Sequence, residues 1–253
     1  MSGADFIIVG GGIAGLSAGA RLARHGRLVV LEAEEALGYH SSGRSVSFSH
    51  YGIGNSAVRG LTAWSRRFFE DPPGEFCATP LSRTVPTLYF ATEDSLPALE
   101  ALEAEIVRFT DATRRVDPAE ISELCPAVRT GEGAAVTGVL DPTGLKLDSD
   151  ALLQSFARAI RAGGGEILNG RRIASIQREG EGWTVRSERG ETWSAPILID
   201  AAGAWADRVA GLAGVPPIGL RPKRRTIIVV DPRAGIDFSG WPFTHSAAGD
   251  FYM

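Results

Sequence analysis

Apolar positions recur along this chain in two rhythms, one of strands and one of helices. Phe6-Ile-Ile-Val9 and Leu28-Val-Val-Leu31 are short unbroken apolar runs, the pattern of strands covered on both faces. Between them Ile13, Ala14, Leu16, Ala18 and Leu22 recur at helical spacing, which predicts a helix over 13–24. Val58, Leu61, Trp64 and Phe68 repeat the helical rhythm until Asp71-Pro-Pro-Gly74 stops it. A strand is expected over 85–91, helices over 96–109 and 118–124, and a strand over 135–140. Asp148 introduces a helix whose Leu152, Leu153, Phe156 and Ile160 share one face, closed by Gly163-Gly-Gly165. Four strand candidates follow at 165–169, 173–178, 183–187 and 192–200, then a short helix up to Gly214 and a strand-like run over 225–230. Helix, strand, meander and apolar strand in that order is not the regular alternation of a nicotinamide dehydrogenase.

Glycine spacing adds chemistry to the first strand, helix and strand. Gly10 makes the tight turn, Gly12 lets backbone approach a pyrophosphate, and Gly15 and Gly19 allow the helix to sit closely on the sheet. The helix N-terminus then offers free N–H groups to phosphates. Glu32, at the end of the second strand, is placed to accept hydrogen bonds from ribose hydroxyls and would repel a 2′-phosphate, which disfavours NADP. Together these residues predict a dinucleotide site. Residues 38–45, Gly-Tyr-His-Ser-Ser-Gly-Arg-Ser, are small and polar and read as a loop.

Composition narrows the classes. With 253 residues, 44% of them hydrophobic and 22% charged, the chain is an ordinary globular protein with room for one large domain or two small ones. A net charge of -4 gives no general attraction for nucleic acid, and Arg221, Lys223, Arg224 and Arg225 are read first as a solvated basic edge. Cys77 and Cys125 lie outside any metal-ligand spacing and read as free thiols of a reducing cytoplasm, so no metal is expected. Neither a signal peptide nor a spanning helix is expected, and the localisation read is cytoplasmic, free or peripheral to the inner membrane. The ending Phe251-Tyr-Met253, without cap or polar tail, reads as a chain whose C-terminal portion is absent.

The longer signature G-x-G-x-x-G-x3-G-x6-G from Gly10 to Gly26, with the 38–45 loop and the strand running into Ala201-Ala-Gly-Ala-Trp205, resembles the D-amino-acid oxidase-like family of FAD-dependent oxidoreductases. Within it the 38–45 loop, residues 59–69, Asp141-Pro-Thr-Gly144, Ala201 to Trp205 and Lys223-Arg-Arg225 are most similar to bacterial D-arginine dehydrogenases. The resemblance implies an α/β protein in which a Rossmann-like FAD-binding domain, residues 1–50 and 142–212, is interleaved with an α+β substrate domain on a mixed or antiparallel sheet, residues 51–141 and 213–253. It implies that Gly10, Gly12, Ile13, Ala14 and Gly15 hold the FAD pyrophosphate and that Glu32 and Ala33 hold the ribose. Ser41, Ser42, Gly43, Arg44 and Ser45 would run beside the flavin, Ile173 would hold adenine through its backbone, and Ala202 and Gly203 would lie close to the cofactor. Arg225 would clamp a substrate carboxylate with help from Tyr252, since a guanidinium fork matches a carboxylate.

The departures point to a different substrate. D-arginine dehydrogenases carry a glutamate at Thr87, a histidine at Phe48 and a tyrosine at Ile53; this chain loses all three polar groups, Phe243 adds an aromatic, and His245 joins the expected substrate residues. Apolar walls disfavour an unpaired guanidinium, so the expected substrate is a neutral or apolar D-amino acid. The family reaction passes a hydride from Cα to flavin N5, and the imine hydrolyses to a 2-keto acid and ammonia. The acceptor is left open between oxygen, a quinone and a dye. Oxidation of a secondary amine such as sarcosine, or of a 2-hydroxy acid, is the alternative chemistry, and an inactive fragment with a partial FAD site is the third reading. His40 is either a covalent flavin linkage or a packed, hydrogen-bonded residue, with non-covalent FAD preferred; His50 is either a weak proton acceptor or an exposed loop residue.

Overall fold

The computed structural model describes residues 2–224, 226–231 and 235–253. It divides into two compact units, Met1–Val46 with Gly74–Thr79 and Ser149–Ile227, and Ser47–Pro73 with Pro80–Asp148 and Ile228–Met253.

The first unit is built on a parallel sheet with strand order Glu166–Leu168, Leu28–Leu31, Phe6–Val9, Ile197–Asp200. Both central strands are apolar throughout because both faces are covered. Ile7, Val9, Val29 and Leu31 point one way, into a core shared with Ile176, Val185, Trp193 and Ala195 of a second sheet and with Val209 of the Ala206–Leu212 helix. That second sheet is an antiparallel meander of Ile173–Glu179, Gly182–Ser187 and Thr192–Ala195, with Ser2–Gly3 added in parallel. The alternate residue Ile8 points the other way, toward the Ile13–Leu22 helix, which packs on the Ser149–Ala162 helix. Gly19 sits in that helix pair: a Cβ there would lie 2.8 Å from Ile160 Cδ1 and 3.4 Å from Ile8 Cδ1, so it serves the contact between helices as well as the contact with the sheet.

Two expectations change here. The run over 192–200 is not one strand. Thr192–Ala195 belongs to the meander and Ile197–Asp200 to the parallel sheet, and the chain changes sheets at Pro196, which has no N–H to give a ladder. The run over 225–230 is not a strand in its described part: residues 226–230 pair with no strand among the described residues, and Ile228 and Val229 are 79% and 91% exposed. Apolar β-branched residues favour extended backbone, but a strand also needs a neighbour for its N–H and C=O groups.

The second unit carries a mixed sheet in the order Phe243–Ser246, Thr87–Ala91, Thr137–Asp141, Arg114–Val116, in which only the first pair is parallel. Leu88, Phe90, Val116 and Leu140 pack with Ile121, Cys125 and Val128. Tyr89, Ala91 and Val139 face oppositely, toward Leu99 and Ile106 of the Leu96–Ile106 helix. A small antiparallel sheet joins Phe48–Ser49 and Ser82–Thr84 to Leu145–Leu147. The Pro118–Leu124 helix starts on a reciprocal cap, Asp117 accepting the Glu120 N–H at 2.9 Å and Glu120 accepting the Asp117 N–H at 3.3 Å. Asn55 caps the Ser56–Glu70 helix by accepting the Val58 N–H at 3.1 Å.

The helix pair of the first unit tests the role of Gly19. Gly19→Leu overfills the contact with Ile160 and is expected to lower the unfolding free energy by about 1–3 kcal/mol. Gly19→Ala is expected to stay close to the parent, because only the flexible end of Ile160 must move and alanine favours the helix. Urea denaturation of the two variants checks the contrast.

Candidate cofactor site

The turn after Phe6–Val9 is sterically closed to side chains. Gly10 has φ +112°, and a Cβ there would run into the Ala201 carbonyl at the end of the neighbouring strand. A Cβ on Gly15 would run into the Gly10 carbonyl oxygen, so the helix starts against the turn it follows. Gly12 precedes the helix and has no capping side chain of its own; Ser42 supplies one, its Oγ accepting the Ile13 N–H at 3.0 Å. The helix N-terminus is therefore not wholly free, as the glycine pattern alone suggested. The N–H groups of Gly12, Ala14 and Gly15 have no acceptor among the described residues, and the Ser42 hydroxyl keeps its own proton to donate.

Glu32 is buried and held from both ends. Its Oε2 accepts the Gly11 N–H at 2.6 Å and its Oε1 accepts the Glu34 N–H at 2.8 Å. Each oxygen retains lone-pair capacity for a diol, and the two backbone bonds fix the direction in which it points. Nine of the expected cofactor residues line one open cavity: Gly10, Gly12, Glu32, Ala33, Ser41, Ser42, Ile173, Ala202 and Gly203. Ile13, Ala14, Gly15, Gly43, Arg44 and Ser45 do not line it. Ile13, Ala14 and Gly15 form the first helical turn behind the glycines, and Arg44 folds back, its Nε donating to the Tyr39 carbonyl at 3.0 Å and its guanidinium lying 4.9 Å from the Tyr39 ring centre.

Sequence reasoning missed other walls of this cavity, among them Glu34, Arg172, Trp205 and Arg208. Trp205 stands in the Ala-Ala-Gly-Ala-Trp run, so its position was available and its contact was not. Glu34 Oε1 receives Arg172 Nη2 at 3.2 Å and His40 Nε2 at 3.1 Å, and the His40 ring lies 4.5 Å from that of Trp205. The hydrogen bond from His40, reinforced by its charge and that of Arg172, holds the Glu34 carboxyl below its ordinary pKa. His40 is packed and hydrogen-bonded here, and nothing in its contacts indicates a covalent linkage.

The expected substrate residues of the second unit lie around one end of its mixed sheet. Phe48 and Phe243 stack at 4.0 Å with 9° between their planes, and His245 meets Phe243 edge-on at 4.9 Å. Tyr252 bridges to His245 and lies 5.4 Å from Phe243. Thr87 pairs in register with Phe243 on one side and Asp141 on the other. It is fully buried beneath Gly144, and neither Thr87 Oγ1 nor Asp141 Oδ2 has a hydrogen-bond partner among the described residues. Ile53 is 50% exposed. Arg225 lies outside the described residues, whereas Arg221, Lys223 and Arg224 are exposed, as a solvated basic edge should be.

His50 is not an exposed loop residue. It is 3% exposed, and its Nδ1 lies 2.7 Å from Tyr89 Oη. The same phenol oxygen accepts the Gly52 N–H at 3.1 Å, and burial pushes the Tyr89 pKa up, so the phenol keeps its proton and donates it to His50. His50 therefore carries its own proton on Nε2. Burial, with the nearby His245, lowers its pKa to about 3, which makes it a poor proton acceptor near neutral pH.

The model of the family described as FAD dependent oxidoreductase, DAO, matches residues 5–253. The chain belongs to the DAO family. The L-2-hydroxyglutarate dehydrogenase of Escherichia coli is 25% identical over 226 residues, covering 84% of this chain and 50% of the relative. A glycerol-3-phosphate dehydrogenase of Mycobacterium tuberculosis is 26% identical over 246 residues, covering 91% and 46%. Among solved structures, an L-α-glycerophosphate oxidase of Mycoplasma pneumoniae with FAD bound superposes with a TM-score of 0.76 at 20% identity over 85% of this chain and 58% of that one. A glycine oxidase of Geobacillus kaustophilus gives 0.73 at 20% identity over 85% and 59%. The chain spans about half the length of the curated relatives it matches.

The DAO assignment makes FAD the cofactor, and the residues fit it. Closed glycines, unpaired N–H groups, the Ser42 hydroxyl and the oriented Glu32 carboxylate are what a pyrophosphate joined to a ribose requires. The nearer likeness to D-arginine dehydrogenases gains no support from these relatives.

Two outcomes follow from the geometry. Glu32→Gln turns a donor toward one of two backbone N–H groups and is expected to cost about 1–3 kcal/mol of stability in urea denaturation and to weaken FAD retention on gel filtration. Because the folded pKa of His50 lies below the ordinary value of 6.5, its contribution to stability is complete above pH 6.5 and is lost as pH falls toward about 3. His50→Asn is expected to flatten that part of the profile of urea midpoint against pH.

Proposed function

We propose that the chain binds FAD and faces an amino acid that is oxidised at Cα, with a neutral or apolar side chain and D configuration. The stacked Phe48 and Phe243 rings carry this reading, because the half-buried Phe48, backed by the buried Phe243, is apolar where the resembled D-arginine dehydrogenases have a histidine. Thr87 supports it: the threonine is buried beneath Gly144 and has no charge with which to bind a guanidinium. FAD, when bound, supplies the acceptor for the hydride.

The remaining work falls to the chain. Arg225 holds the substrate carboxylate with Tyr252, fixing Cα in one orientation, and the aromatic face excludes water from the side chain. The neutral His50 accepts the hydrogen bond of the Tyr89 phenol, which the Gly52 N–H engages from its other side, and it takes no proton from the substrate ammonium. The substrate therefore loses that proton to solvent before reacting.

A second reading, oxidation of a 2-hydroxy acid, is favoured by the L-2-hydroxyglutarate dehydrogenase relatives. Bleaching of the flavin absorbance under anaerobic conditions separates the readings. D-Leucine or D-phenylalanine is expected to bleach it, with D-arginine slower. Best turnover with D-arginine, or bleaching by L-2-hydroxyglutarate or sarcosine alone, overturns the proposal, as does a purified chain without flavin. Arg225→Ala is expected to reduce kcat/KM about ten- to a hundredfold through loss of a charged hydrogen-bonded pair, with FAD content unchanged.

A further inference from the structure

The Ser56–Glu70 helix is amphipathic in the wrong sense for a helix resting on a core. None of its residues is buried, and Val58, Leu61 and Trp64, one row at three-residue spacing, are 42%, 65% and 80% exposed. Two of its three arginines turn inward instead. Arg59, with an 11% exposed side chain, donates to the Tyr51 carbonyl at 2.8 Å and pairs with Glu105 at 3.2 Å. Arg66 pairs with Glu70 at 2.7 Å and lies 6.0 Å from the Tyr51 ring centre. These anchors fix the rotation of the helix and hold the apolar row outward.

We propose that this outward face docks on an anionic lipid surface. An exposed tryptophan beside leucine and valine on a helix lying flat matches the interfacial belt, where the indole body enters the acyl boundary and its N–H stays wet. Charge agrees. Arg67, three residues beyond Trp64, is exposed and has no ion pair among the described residues, whereas the helix's single acid, Glu70, is engaged by Arg66. Area argues against a second copy of the chain. A helix of fifteen residues is about 22 Å long, and three such side chains offer on the order of 300–400 Å² against the roughly 800 Å² that each partner contributes to a stable dimer. A bilayer surface has no such threshold.

Sedimentation of the flavin-loaded chain with vesicles tests the proposal. Binding is expected to phosphatidylglycerol-containing vesicles and to be weaker with pure phosphatidylcholine. The double variant L61S and W64S is expected to reduce the bound fraction at least tenfold with an unchanged flavin spectrum and circular dichroism, since both side chains lie outside the core. Arg67→Glu is expected to weaken binding to the anionic vesicles alone. Absence of binding by the parent chain, or equal binding by the double variant, overturns the proposal. So does a concentration-dependent dimer on gel filtration that the double variant abolishes while vesicles stay unbound, because a second copy would then cover the face. None of these readouts depends on which substrate the flavin oxidises.

Discussion

The bond from Gly11 N–H to the Glu32 carboxylate ties the ends of two neighbouring parallel strands to each other, and the cofactor cradle hangs on it. A buried carboxylate is unfavourable unless its oxygens are met, and here backbone N–H groups on both sides meet them. The Gly11 bond holds the glycine turn against the strand end and the Glu34 bond fixes the carboxylate that receives it, so that Gly10, Gly12 and Glu32 face one cavity. A side chain at Gly10 or Gly15 would push the turn away and break that alignment. Stability of the sheet end and readiness for the cofactor are therefore one constraint.

The two units are built around different materials. The first meets FAD mostly with backbone: N–H groups of a helix start, a carboxylate fixed by amides and glycines that allow approach. Such a site makes no contact that depends on the substrate's side chain, and the family's relatives include hydroxyglutarate and glycerol-3-phosphate dehydrogenases. The second unit presents side chains: stacked phenylalanines, a tyrosine and two histidines on one sheet face. Their buried polar members are engaged with one another, as in the chain from Gly52 through Tyr89 to His50. On the proposed function, discrimination between substrates falls to these side chains rather than to the cradle.

Much of the fold could be read from local pattern. The helices at Ser56–Glu70, Leu96–Ile106, Pro118–Leu124 and Ser149–Ala162 stand where apolar spacing and stop signals put them. Short strands were not legible. Phe48–Ser49, Ser82–Thr84, Arg114–Val116 and Leu145–Leu147 are two or three residues long, too few for alternation to show, and exist because a neighbour completes their hydrogen bonds. In the site, the glycines and Glu32 were visible, whereas the hydroxyl of Ser42 reaching Ile13 across 29 residues was not.

The sequence by itself determined the glycine spacing, the acidic strand end and the change of rhythm from strand to helix, because these answer to steric and hydrogen-bonding demands within a few residues. Tertiary structure alone decided which way each element faces and what meets it. Pro196 divides an apolar run between two sheets, His50 is buried against Tyr89, and Arg59 and Arg66 turn the row from Val58 to Trp64 outward. Periodicity marks the positions that share a face. The neighbours that pack against an element decide whether that face is inside or out.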